Sequence, residues 1–244
     1  MLLAGGDDFG LIPWVAQMLG GHAYHVQAVE HYYSAALAVS ILSVLAFMVW
    51  RRVRRPGEAI IPPKRTGVVA LFDTAVEWLL GLLEGIIGPH AGRHLPLLGT
   101  VFFYILCSNL IGLIPGMSPP TSNLHTNLVI AGTVFVYYNY MGIKAQGLGN
   151  YLRHLMGPVI WIAPLLFGIE VISHVVRPFS LSIRLLGNMT ADHAVLSVFT
   201  DLTKVIVPVV FLGLGLFVCL VQAFVFTLLS AVYIGLAEAH GEEH

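Results

Sequence analysis

Apolar residues fall in long blocks along this chain. They show neither the two-residue alternation of a half-buried strand nor the narrow stripe of a surface helix. A helix crosses the hydrocarbon core with about 20 mostly apolar residues. On that measure five crossings are predicted, over 31–50, 95–114, 124–142, 158–189 and 203–237. The first, "HYYSAALAVSILSVLAFMVW", ends sharply at "RRVRR" and Pro56. The second closes in "PGMSPPTSN", a proline-rich turn, and the third ends on Tyr137, Tyr138 and Tyr140, as interfacial aromatics do. The last two blocks exceed the core thickness at 1.5 Å per residue, so these helices must tilt strongly, kink or extend beyond the bilayer.

Residues 66–88, "TGVVALFDTAVEWLLGLLEGIIG", follow a different pattern. Asp73, Glu77 and Glu84 repeat at intervals of four and seven, so one helical face carries all three acids. This predicts an amphipathic helix lying in the membrane interface. The competing reading is a tilted span whose charges face protein.

Composition agrees with a membrane protein. The chain has 244 residues, 57% of them hydrophobic and only 10% charged. Soluble domains carry about 25% charged residues, so too few polar side chains remain to cover a water-facing surface. The predicted fold is all-α and polytopic, a single membrane domain over 1–244. The net charge of −1 excludes a basic nucleic-acid surface. Cys107 and Cys219 lie in apolar runs and read as small buried hydrophobes rather than a disulfide. The opening "MLLAGGDDFG" lacks a basic leader region, so the first block is expected to remain a true span. Basic residues at 51–55, Lys64, Arg65, Arg93, Lys144 and Arg153 fall on one side of five crossings. That bias predicts residues 1–30 outside and the tail 238–244 in the cytoplasm.

The chemistry concentrates in the fourth block. Glu170, Ser173, Arg177, Arg184 and Asn188 fall within an arc of about 80° on one helix. An arginine at bilayer depth costs about 2.5–3.5 kcal/mol on insertion scales. Ser180, Leu181, Gly187 and Asn188 flank Arg184 one turn away, and none is acidic. Glu170 shares its face but sits about 21 Å along the axis. The last block offers Gln222, Thr227 and Ser230 but no acid at matching depth. The guanidinium is therefore to be satisfied by another helix, by water, or by a carboxylate on another chain, and the third reading fits best. The plainer alternative is an arginine that ties two helices through backbone carbonyls.

"RPFSLSIRLLGNMTADH" (177–193), "SNLIGLIPG", "PPTSNL" and "LVQAFVFTLLSAVYI" together resemble subunit a of the F-type ATP synthase membrane sector. The resemblance covers nearly all of the chain from the second block onward. It implies a stator subunit beside a rotating ring of c subunits, each with one essential carboxylate. Arg184 matches the family's essential arginine, which attracts the ring carboxylates and separates two offset half-channels. Asn188 and Gln222 match its outer-side path, Glu170 and Ser173 its cytoplasmic path, and Asn109 a polar residue of the second span. A b-subunit peripheral stalk and an F1 head would complete the partners, in a bacterial plasma membrane, with no cofactor. The family often pairs a carboxylate and a histidine at the positions held here by His193 and Gly215. The histidine is present and its carboxylate is missing from that pair, which leaves Asp192 or another acid to replace it. An imidazole titrates near neutral pH and suits proton relay.

A self-contained channel or carrier would need its own counter-charge, and usually a repeat or gate; neither is evident. A redox or metal protein is suggested only by eleven histidines. "HAGRH" spaces His90 and His94 by four, but no HExxH occurs, nor any GxxxxGK[ST] for nucleotide. With no oxygen-rich ion cage along the stripe, proton is the expected ion rather than sodium.

Overall fold

The computed structural model describes residues 23–53, 67–114, 117–147, 149, 151, 163–202 and 206–239. Among these there are six α-helices and no strand. They are α1 (Ala23–Val53), α2 (Val68–Ile87), α3 (Leu95–Gly112), α4 (Leu124–Gln146), α5 (Ala163–Leu202) and α6 (Ile206–Ala239). Short 3₁₀ turns at Ala91–Arg93 and Pro120–Ser122 lead into α3 and α4.

Four stretches are long and apolar enough to cross a membrane: Tyr32–Arg51, Leu95–Gly112, Pro164–Leu196 and Val209–Glu238. The expected crossing over 124–142 falls on α4. It has 23 residues, long enough to span, but is more polar than the other four. Its asparagines turn inward, with Asn127 buried and Asn139 half-buried, while His125, Thr133 and Lys144 are exposed along with Val129, Val136 and Tyr140.

Two boundaries depart from the sequence reading. Residues 190–202, expected as a polar outer loop, continue α5 instead. Thr190, Asp192 and His193 are tolerated because Met189 and its apolar neighbours keep one face packed. The first helix also begins at Ala23, eight residues before the expected start. Residues 158–162, 203–205 and 240–244, which belonged to expected elements, lie outside the described residues. At 1.5 Å per residue α5 and α6 are about 60 and 51 Å long. Pro178 does not break α5; the nearby Ser182 hydroxyl donates to the Pro178 carbonyl at 2.8 Å.

Helix α2 ends at Gly88, whose N–H donates to the Glu84 carbonyl at 3.0 Å and whose φ of 90°, which suits glycine, turns the chain out of the helix. Leu79 and Leu83 are fully buried, while Asp73, Glu77 and Glu84 are exposed together. The acids thus share an outward face, as their spacing predicts. The inner face meets α3 and α6, where Trp78 lies 6.3 Å from Phe102 and 5.8 Å from Phe224, ring to ring.

The packing centre is α6. Every fourth residue from 215 to 235 is small: Gly215, Cys219, Ala223, Thr227, Ala231 and Gly235. The first five are buried. Small residues let helix backbones approach closely, which matters because lipid supplies no hydrophobic drive for helices to associate. Helices α2, α3, α4 and α5 all pack on α6. On α5 the buried row is Leu181, Leu185 and Met189, spaced by four. That row points one face inward and so turns Arg184, Gly187 and Asn188 out.

Polar groups are buried while large apolar ones are exposed. Ile172, Phe179, Ile183, Val210, Phe217 and Leu220 face outward. Inside, Asn127 donates to the Thr121 carbonyl at 2.8 Å and the Ser182 carbonyl at 3.4 Å, tying α4 to the turn before it and to α5. This reversal suits a body immersed in lipid.

Candidate functional site

Helix α5 carries the site, and its polar residues fall into two groups with Arg184 between them. Toward the helix start, the Glu170 carboxylate lies 3.3 Å from His174 Nδ1 and 3.8 Å from the Arg177 guanidinium. The spacings i+4 and i+7 put all three on one face. Tyr151 joins them from the preceding segment. Its hydroxyl donates to Asn139 Oδ1 at 2.7 Å and lies 3.5 Å from His174 Nε2. Burial pushes the Tyr151 phenol above its ordinary value, so it stays a donor at physiological pH. Arg177 also stacks over the Tyr233 ring at 5.1 Å, a cation–π contact that ties the group to α6. Ser173 is half-buried on this face.

Beyond Arg184, Asn188 Nδ2 donates to Gln222 Oε1 at 2.6 Å, linking α5 to α6. Gln222 is only 3% exposed. A cavity of about 380 Å³ opens beside this pair, lined by Asn188, Asp192, Val195, Phe217 and Gln222 among others. His193 turns the other way, toward α3; a Cβ added at Gly112 would lie 2.9 Å from its Nε2. Asn109, fully buried one turn earlier on α3, accepts from Thr121 Oγ1 at 2.7 Å. It fastens α3 to the 120–122 turn and does not join the Asn188–Gln222 bond.

Arg184 itself is exposed. Among the described residues no acid pairs with it. The two described arginines of α5 therefore differ in kind. Arg177 is held by Glu170 and Tyr233 of its own chain, whereas Arg184 projects from the apolar surface beside exposed Ile183. Among the described residues its own helix supplies it no acidic partner.

Sequence reasoning gave no role to His174, Tyr151 or Asn139. The first was legible as the residue four after Glu170; the other two are brought in only by tertiary packing. It also set His94 aside. That side chain is fully buried, with Nδ1 3.0 Å from the Tyr137 hydroxyl and Nε2 3.2 Å from Glu238 Oε2. It fastens the end of α6 to α4 and lies apart from the stripe. Among the described residues no three His, Cys, Asp or Glu side chains are placed to hold a metal. Cys107 and Cys219 are both free.

Fold and site together define a polytopic helical membrane protein with an ionisable seam along one long helix. The family model described as ATP synthase A chain matches residues 33–235. The ATP synthase subunit a of Bdellovibrio bacteriovorus is 45% identical over 219 residues, 88% of this chain and 96% of the relative. That of Sorangium cellulosum is 40% identical over 227 residues, 93% of this chain and 89% of the relative. That of Geobacter sulfurreducens is 39% identical over 207 residues, 84% and 89% of the two chains. The chain belongs to the ATP synthase A chain family, part of the proton-translocating Fo membrane sector.

Proposed function

We propose that this chain is the proton-translocating stator subunit of a rotary ATP synthase, with Arg184 as the fixed charge that meets each ring carboxylate. The observation that carries the reading is an exposed arginine on an apolar helix surface, with no acidic partner among the described residues. A cation so placed is costly in lipid unless an anion arrives from outside. A ring of c subunits, each with one carboxylate at that depth, supplies a new anion at every step.

The two polar groups act as the two half-channels. Glu170, Ser173, His174 and Tyr151 line the cytoplasmic side. Asn188 and Gln222, with His193 and Asn109 behind them, line the outer side. Arg184 holds the ring carboxylate ionised between them and keeps a proton from passing straight across. Glu170 and Asn188 are 18 residues apart, about 27 Å along the helix, so the paths are offset and ring rotation must connect them. Tilted α5 and α6 follow the ring's outer wall, with α4 as the fifth crossing and α2 in the interface. The N-terminus faces out and the C-terminus the cytoplasm. The b-subunit stalk and F1 head complete the machine, and nucleotide chemistry resides in those other polypeptides.

The test is Arg184→Ala in the assembled complex. Proton-driven ATP synthesis should fall to background while the complex still assembles. Arg184→Lys should fail too, because lysine lacks the delocalised planar charge and loses its proton more readily in a low-dielectric site. Retained synthesis in Arg184→Ala overturns the assignment. Ion transport by the isolated chain in liposomes would favour a self-contained channel or carrier.

A further inference from the structure

Helix α1 packs on α3 and on the 120–122 turn. Among its described residues only Ser34 and Ala38 are buried. From Val39 to Arg51 none is, so this half of α1 stands off the bundle. Beside it lies a cavity of about 770 Å³ between α1, α2, α3 and α6. Ile41 and Leu45 line it from α1, Phe72 and Trp78 from α2, Leu106 from α3 and Phe224 from α6. No lining residue is charged, and the Trp78 indole and the Cys107 thiol are the only polar side-chain groups among them.

That lining excludes two kinds of occupant. Water does not settle in a space without polar partners. A polar ligand would find no set of groups to orient it. A hydrocarbon chain needs neither, and it restores the dispersion contacts that an unfilled gap forfeits.

The end of α1 beside the cavity is cationic. Arg51 is exposed, with its guanidinium 5.7 Å from the Phe47 ring centroid, and Phe47 stacks on Trp50 at 5.8 Å. No acid among the described residues pairs with Arg51. Arg52, Arg54 and Arg55 follow in the sequence. Position 52 comes seven after Leu45, so it falls on the helical face that lines the cavity. Four or more cations directly beyond a spanning helix attract anionic headgroups. The lengths agree as well. Leu45 and Ile41 precede Arg51 by about 9 and 15 Å along the axis. The acyl layer of one leaflet is about 15 Å deep, half of the hydrocarbon core.

We propose that this cavity holds an acyl chain of an anionic phospholipid whose phosphate rests at Arg51, in the leaflet on that side. The chain fills the wedge between α1 and the bundle, and the arginines choose the headgroup.

The experiment uses the intact complex in phosphatidylcholine vesicles. These are doped with phosphatidylglycerol carrying a photoreactive diazirine near the end of one acyl chain, or with the matching phosphatidylcholine probe. Mass spectrometry locates the adducts, counted per assembled complex and against those on Val136, an exposed residue of α4. Adducts should fall on Ile41, Leu45 and Leu106. The phosphatidylglycerol probe should exceed the other at least about fivefold there, the scale of one surface cation. Arg51→Gln with Arg52→Gln should remove that preference. Ala75→Phe, which fills the cavity from α2, should reduce labelling by both probes. Equal labelling by the two probes in wild type overturns the proposal, as does a preference that survives the double glutamine variant. Absence of adducts on the cavity residues overturns it too, and is the result expected if a helix of another subunit fills the space.

Discussion

Replacing Gln222 by leucine removes the acceptor of the 2.6 Å bond from Asn188. The cost in stability can be bounded. Hydrogen bonds between membrane helices contribute about 0.6 kcal/mol on average and about 1.7 at most. Asn188 is exposed, so its freed amide is not trapped without a partner. Leucine is close to glutamine in size, and the residues one turn either side of position 222 are the apolar Val218 and Phe226. The fold should therefore weaken by about 1 kcal/mol, a factor of roughly five in the unfolding equilibrium, and the complex should still assemble. If the pair lines the outer path, proton-driven synthesis should fall far more than this, by tenfold or greater. The assay is a double-mutant cycle over Asn188→Ala and Gln222→Leu, scored by resistance to detergent unfolding and by coupled synthesis in vesicles. The reasoning predicts a stability coupling below about 2 kcal/mol and an activity loss in either single variant nearly as large as in the double. Wild-type synthesis in Gln222→Leu, or an activity loss no larger than the loss of assembled complex, refutes it.

Gly142→Val should reduce assembly, since a Cβ at Gly142 would meet Tyr151 Cε2 at 2.9 Å and Ala237 Cβ at 3.3 Å; overpacking of this kind costs about 1–3 kcal/mol, readable as complex yield in membranes. His94→Leu leaves Tyr137 and Glu238 without their shared partner and should cost about 1–3 kcal/mol, seen as faster proteolysis at the end of α6. Tyr151→Phe deletes the 2.7 Å bond to Asn139. Its burial-raised pKa keeps the phenol protonated, so the difference from wild type should be flat from neutral pH to about 9. The stability this group contributes should be lost only as pH rises past its ordinary value of 10.0 and through the raised one. A difference that changes between pH 6 and 8 would refute that assignment.

How far the sequence reaches depends on the kind of signal. Span blocks were legible because lipid demands about 20 apolar residues in a row, a property of neighbouring residues alone. The acidic face of α2 and the stripe on α5 were legible because helical period is local. The small residues repeating by four on α6 were equally readable and mark the helix on which the others pack. The C-terminal end of α5 was not: Thr190, Asp192 and His193 look like a loop until the packed row through Met189 is seen.

By itself, then, the order of residues determined an all-helical membrane body, its long final helices, and an arginine with no acid near it on its own helix. Only the tertiary structure decided which arginine is held and which has no acidic partner among the described residues. It drew Tyr151 and Asn139 to Glu170 and His174, joined Asn188 to Gln222 across 34 positions, and set Asp192 into the gap at Gly215. The reason is physical: periodicity along one helix tells which side chains share a face, but which face meets which neighbour follows from packing between helices far apart in the chain.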